Sequence, residues 1–180
     1  DKDSSIIYPG RAVAAIIEGT FEGGIIEIAG YFITPGGVRA TAPIYYKMAK
    51  TIASQDRPFV IGADWNVDTE ELINSGLIDA IGGTLFAPDP GVGTCITHVQ
   101  GGAEHSSTID YFCVSAHLAS AFSPATAILD SVIPTHRPVQ TNTKATEVKH
   151  LTLTKCKTVP IHVSDTHQTL PTKRTEKTDA

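Results

Sequence analysis

Residues that would assign this chain to a specialised class at sight are scarce. The 180 residues include 3 cysteines, 1 methionine and 1 tryptophan, and 18% of the chain is charged. Cys95, Cys113 and Cys156 are widely separated and form no C-x-x-C pair, so they indicate neither a disulfide framework nor a zinc site. No segment has the roughly 20 consecutive apolar residues of a transmembrane helix, and no membrane span is expected. The seven histidines, His98, His105, His117, His136, His150, His162 and His167, show no ligand spacing, which argues against a histidine-built metal protein. Basic residues are few where a polyanion would need them. Residues 1–140 carry 7 Lys and Arg against 15 Asp and Glu, a net −8, whereas residues 141–180 carry 7 against 4, a net +3. An acidic body is a poor platform for non-specific binding to a phosphate backbone, which depends on Lys and Arg releasing counterions. A nucleic-acid partner would have to be met through metal ions or through the basic C-terminal stretch. The only methionine is Met48, so the sequence reads as a processed product or as an excerpt of a longer chain.

What is present suits a globular α/β domain. Hydrophobic residues make up 41% of the chain, and 15 Gly and 11 Pro lean it towards strands and turns. The length suffices for one domain with a real core. Residues 1–10 form a polar lead-in ending in the turn signal Tyr8-Pro9-Gly10. Arg11–Glu18 and Ile25–Ile33 read as the two strands of a hairpin. A helix follows, with Thr41 as its cap, Pro43 in its first turn, and an apolar stripe of Ile44, Met48 and Ile52 flanked by Tyr45 and Ala49. Asp68 to Glu71 resembles a capping box opening a short helix that stops at Gly76. Residues 82–94 and 100–107 read as loops, Thr94–Val99 and Ser107–Ser115 as strands, and Asp130–Val139 as the approach to a last strand. Val148–Leu153 and Thr158–Val163 alternate like edge strands or an arm, and residues 164–180 read as a flexible tail. The expected architecture is a two-layer β-sandwich flanked by helices.

The stretch 58–66, P-F-V-I-G-A-D-W-N, stands out. An apolar run suited to a strand buried on both faces breaks at Gly62 and leads to Asp64 and Asn66. In an extended segment, residues two apart point the same way, so a carboxylate and an amide would share one space at the mouth of the strand. Such a pair could accept a proton from water and hydrogen-bond a phosphate. The plainer reading is a strand running into an Asx turn.

Two later stretches, S-T-I-D-Y-F-C-V-S at 107–115 and P-T-H-R-P-V at 134–139, follow in a telling order. Taken with G-A-D-W-N at 62–66, they resemble the endonuclease/exonuclease/phosphatase (DNase I-like) superfamily over roughly residues 11–140, most of all the endonuclease domains of non-LTR retroelements. The resemblance implies that Asp64 accepts the proton of the attacking water and that Asn66 hydrogen-bonds the phosphate. It implies that Asp110 orients an imidazole and that His136 supplies it. It also implies Mg²⁺, with Asp64 and Asn66 among its ligands, and a nucleic acid or another phosphodiester as substrate. Outside the resemblance, Asp110 is a strand polar satisfied by turn amides and His136 an exposed imidazole before Arg137-Pro138.

The chain departs from the family's pattern. Thr135 stands where the family's Ser-Asp-His carries its acid, and the N-terminal elements that supply an Asn and the main metal-binding Glu are missing. Glu18, Glu22 and Glu27 read as solvent-facing, and Tyr31 lies near the position of a family Tyr or His with spacing to Pro35 that does not fit. Metal affinity is therefore expected to be poor, and the incomplete sheet is expected to be covered by an upstream segment or a partner protein. Two functions follow: a metal-dependent phosphodiester hydrolase, impaired as an isolated chain, or a catalytically degenerate member of the fold serving as a structural or binding subunit.

Overall fold

Alternation of apolar and polar residues sets the strands, and one long apolar stripe sets the main helix. The computed structural model describes residues 4–18, 21, 23–32, 36–100, 103–133 and 135–144. In chain order the strands are β1 (Ser4–Tyr8), β2 (Ala12–Ile17), β3 (Ile25–Tyr31), β4 (Phe59–Asp64), β5 (Gly83–Phe86), β6 (Cys95–Gln100), β7 (Ala103–Ser107), β8 (Asp110–Ser115), β9 (Thr126–Ala127) and β10 (Val139–Gln140). The α-helices are α1 (Gly37–Gln55), α2 (Thr69–Asn74) and α3 (Leu77–Ile81), and a 3-10 helix covers Ala116–Ala121.

Six strands form one mixed sheet in the order β1-β2-β3-β4-β8-β5. β1, β2 and β3 are antiparallel neighbours, and β4 runs parallel to β3 with α1 as the crossover. β8 lies antiparallel to both β4 and β5. β6 pairs with β7, and β9 with β10, as separate two-stranded ribbons.

The two faces of the sheet are treated differently. On one face Ile26, Ile28, Phe59, Ile61, Tyr111 and Cys113 pack under Ile44, Tyr45, Met48 and Ile52 of α1 and under Leu72, Leu77 and Ile78. This stripe is the one the sequence predicts. On the other face Ile25, Val114, Leu118 and Ala121 cluster with Val60, Phe86, Phe112 and Phe122, covering the β4-β8-β5 half. The β1–β3 half of that face is open: Ile6, Val13 and Ile17 are 69%, 50% and 39% exposed. An open groove of about 510 Å³, lined by Ile6, Val13, Ala15, Glu27 and Ala29 among others, lies along it.

Several local expectations need correction. Residues 4–8 are a strand rather than a lead-in. The helix begins one turn earlier than its expected cap: Gly36, with φ 94°, provides the left-handed turn into it, and Thr41 lies inside, its hydroxyl donating to the Gly37 carbonyl at 3.1 Å. Pro43 is therefore an interior helix residue on an exposed position. Asp68 does cap α2, accepting the Glu71 N–H at 2.8 Å, but the Glu71 carboxylate accepts from Val38 N–H instead of closing a capping box. Gly76 ends α2 and also opens α3, an unforeseen helix. Segments 83–86 and 103–107, read as loops, are β5 and β7. β7 is A-E-H-S-S, whose Glu104, His105 and Ser106 are exposed, so no buried face marks it in sequence. Glu18 and Glu27 are exposed as expected, Glu18 pairing with Arg57 at 3.0 Å. Residues 141–144 pair back onto 121–123 through Ser123 N–H to Asn142 O and Lys144 N–H to Ala121 O. The expected strands at 148–153 and 158–163, the tail at 164–180 and Glu22 lie outside the described residues.

Candidate functional site

Strand register brings the acids together. Asp64 is the last residue of β4 and Asp110 the first of β8, and the antiparallel register sets them directly opposite each other. Like charges in that position repel. Burial, and then the neighbouring Asp110 carboxylate, raise the Asp64 pKa above the ordinary carboxylate range, while hydrogen bonds from Asn66 partly oppose the rise. Trp65, between Asp64 and Asn66, turns the other way and is completely buried. Its ring stacks on Tyr111 at 5.6 Å and its Nε1–H donates to the Tyr111 carbonyl at 3.0 Å. The apolar core thus anchors the residue that separates the two polar ones.

Asn66 is not in the extended conformation read from the sequence. It is left-handed, with φ 53°, as Asn tolerates. Its backbone N–H donates to Asp64 Oδ1 at 3.1 Å, and its Nδ2–H donates to the Phe32 carbonyl at 2.9 Å. The plain Asx-turn reading therefore describes the backbone well. The side-chain Oδ1 is the part of the amide left for a ligand.

His136 arrives from a different part of the chain. Residues 135–137 pair with the start of β6: Ile96 N–H donates to Thr135 O and Arg137 N–H to Thr94 O, both at 2.7 Å. The Arg137 guanidinium ties this segment down by donating to the carbonyls of Val92 and Gly93 and pairing with Glu104. The ring then reaches Asp110: His136 Nδ1–H donates to Oδ2 at 3.1 Å, with Oδ1 at 3.3 Å. Both side chains are partly exposed, His136 34% and Asp110 20%. Asp64, Asp110 and His136 each present a ligand atom, and these atoms lie within 4.8 Å of one another. Two carboxylates and an imidazole can hold a divalent metal ion, with water completing its shell.

Three neighbours escape sequence reasoning. Thr94 is fully buried, and its Oγ1 accepts the N–H groups of Ile109 and Asp110 at 3.0 and 2.9 Å, so one threonine holds both the Asp110 backbone and the His136 segment. Cys95 bridges to His136, with Sγ 3.7 Å from Nε2. Burial and the Asp110 and Asp64 carboxylates push its thiol pKa up. Tyr31, at the end of β3, is paired with Asp64 in the β3–β4 register, half-exposed, with the Arg11 guanidinium 5.1 Å from its ring centre. Thr135 is exposed and left-handed, with φ 67°.

Comparison with known proteins agrees with this geometry. No family model and no curated protein sequence matches the chain. Solved structures do. The endonuclease domain of TRAS1, a telomere-specific non-LTR retrotransposon, superposes with a TM-score of 0.58 and 14% identity, over 79% of this chain and 68% of that one. The 3′-5′ exonuclease NExo from Neisseria meningitidis gives 0.54 and 15%, over 74% and 65%. The cytolethal distending toxin from Actinobacillus actinomycetemcomitans gives 0.55 and 16%, over 73% and 52%. The chain thus spans between 52% and 68% of the length of these structures. At such identities the likeness speaks for the fold: a mixed α/β, DNase I-like fold, as in the endonuclease/exonuclease/phosphatase superfamily.

Proposed function

We propose that this chain is the nuclease-like domain of a metal-assisted phosphodiester hydrolase, with Asp64, Asn66, Asp110 and His136 as its working residues. The observation that carries this reading is the convergence of Asp64, Asp110 and His136 within 4.8 Å at one end of a DNase I-like sheet. A divalent ion bound there would neutralise charge building on the phosphoryl oxygens. The protein's own groups do the rest. Asp110 fixes the ring of His136 and favours its charged form, which places a hydrogen-bond donor towards the developing charge. Asp64, whose carboxyl holds its proton more readily than usual, suits proton abstraction from an attacking water. Asn66 Oδ1 is oriented by the Nδ2–H bond to Phe32 and stands beside Asp64 as a neutral ligand. Mg²⁺ is the ion implied by the sequence resemblance, and DNA is the first substrate to try. NExo, for one, is described bound to a product DNA hairpin.

The test is cleavage of single- and double-stranded DNA, RNA and phosphorylated inositols by the purified chain, with Mg²⁺ and with other divalent ions. Turnover should appear with at least one ion and fall by about 10²–10⁴-fold in Asp64→Ala and in His136→Ala. Absence of turnover with every ion and substrate would end the hydrolase reading.

One observation favours a second reading. The open β1–β3 face carries exposed Ile6, Val13 and Ile17, and Thr135 supplies no carboxylate beside His136. A catalytically degenerate subunit, its apolar face covered by an upstream segment or a partner protein, would show both features. It would bind a hydrophobic dye strongly when alone and weakly when that face is covered. A dye-silent, monomeric, stable chain would count against it.

A further inference from the structure

The side chain facing the free edge of the imidazole is a thiol. Asp110 accepts from His136 Nδ1–H, so Nε2 carries the lone pair, and Cys95 Sγ lies 3.7 Å from it. A tetrahedral zinc ion with Zn–S of about 2.3 Å and Zn–N of about 2.05 Å sets sulfur and nitrogen roughly 3.6 Å apart. The observed separation matches that edge. A carboxylate on the far N–H of the ring is also what orients a metal-bound histidine. Asp64 adds an oxygen ligand close to Asp110 and His136. Hard ions such as Mg²⁺ want near-octahedral oxygen shells, and a thiol contributes nothing to one. Thiolate and imidazole together suit borderline-soft ions.

We infer that this centre takes a thiophilic divalent cation of the zinc type, bound by Cys95 Sγ, His136 Nε2 and an Asp64 oxygen, with Asp110 behind the imidazole. Binding exchanges one proton for the ion: the Cys95 S–H bond breaks, the proton leaves to solvent, and a sulfur–metal bond forms. Three protein ligands leave a fourth position open to water or to a phosphoryl oxygen. The inference names the ion for the metal centre proposed above and rests on that reading of the cluster.

The experiment uses the full chain carrying Cys156→Ser, which leaves Cys95 and Cys113 as the thiols. Cys113 is fully buried, and its pKa is pushed up to about 12, so it serves as a silent background. Titration with Co²⁺ should produce the intense visible bands of tetrahedral cobalt and a thiolate-to-metal charge-transfer band, both abolished by Zn²⁺ and untouched by excess Mg²⁺. Cys95→Ser in this background should lose the charge-transfer band and bind Zn²⁺ about 100-fold or more weakly. Asp110→Asn should keep the band and weaken Zn²⁺ about 10–100-fold, as loss of a partner behind a metal-bound histidine does. Circular dichroism of the metal-free variants checks that they fold. No charge-transfer band, or a band and a Zn²⁺ affinity unchanged in Cys95→Ser, would reduce the pair to a thiol–imidazole hydrogen bond. These readouts need no turnover. Their failure leaves a hydrolase with a hard ion standing, and failure of the cleavage assays leaves the thiolate site standing.

Discussion

Replacing Trp65 with Phe tests how the core holds the site. Trp65 is completely buried, stacks on Tyr111 and touches Phe32 and Tyr45 at ring separations of 5.0 and 6.0 Å. Phe keeps most of that contact but leaves a void of roughly 40 Å³, which at about 24 cal/mol per Å³ costs about 1 kcal/mol. It also removes the Nε1–H, so the Tyr111 carbonyl loses a donor in a dry place, at a further cost of about 1–3 kcal/mol. The expected loss is therefore about 2–4 kcal/mol. With a urea slope of about 2 kcal/mol per molar, the unfolding midpoint should fall by about 1–2 M at unchanged slope. Trp65 is the only tryptophan, so the transition has to be followed by far-ultraviolet circular dichroism, fluorescence losing its probe in the variant. Because Asp64 and Asn66 flank the residue, divalent-ion affinity should fall as well. A loss under about 0.5 kcal/mol, the range of ordinary surface substitutions, would refute the packing described for Trp65.

Three further outcomes follow from the same geometry. Asp64 has a raised pKa, so the folded state holds its proton more tightly than the unfolded chain, and stability contributed by that proton is lost as pH rises through the raised value. In chelator at pH 7, Asp64→Asn should therefore melt higher than the parent, and the difference should shrink as pH falls below about 4, where the unfolded carboxyl is also protonated; a lower melting temperature for the variant at pH 7 would reverse the sign. Gly93 has φ 63°, a Cβ there would collide with the Ser106 side chain, and its carbonyl accepts from Arg137. Gly93→Ala should cost at least about 1–3 kcal/mol in urea unfolding and weaken metal binding through the His136 segment, and a neutral result would deny that clamp. Thr135→Asp places a carboxylate where the sequence resemblance expects one, on a left-handed backbone that Asp tolerates better than a β-branched residue. It should tighten divalent-ion binding about tenfold in a calorimetric titration, and unchanged affinity would remove position 135 from the site.

Much of this was legible in sequence because the informative residues end apolar runs. Phe59 to Ile61 marks β4, and the polar pair just beyond it marks the sheet end. I-D-Y-F-C-V-S marks β8 in the same way, and the 3.6-residue stripe of Ile44, Met48 and Ile52 marks α1. What failed to show has physical reasons. Cys95 and Thr94 gain meaning only from partners 15 to 41 residues away, brought close by a single β-bridge and two backbone hydrogen bonds. β5 starts at Gly83 immediately after another glycine, which reads as a loop. β7 exposes its side chains, so no alternation betrays it. Gly36 displaced the expected cap at Thr41 because a left-handed glycine starts the helix without a side-chain hydrogen bond. The local turn at Asn66 overrode the extended reading because its amide finds partners on Asp64 and Phe32.

The central claim is that Asp64, Asp110 and His136, from three separate stretches of chain, form one cation site. Paramagnetic broadening by Mn²⁺ in a ¹⁵N-labelled sample measures this directly, residue by residue. The account predicts that substoichiometric Mn²⁺ broadens the amides around 64–66, 94–96, 109–111 and 135–137 together, and that Asp64→Ala abolishes the effect at all four. Broadening centred on another acidic patch, or confined to 64–66 with His136 untouched, would contradict it.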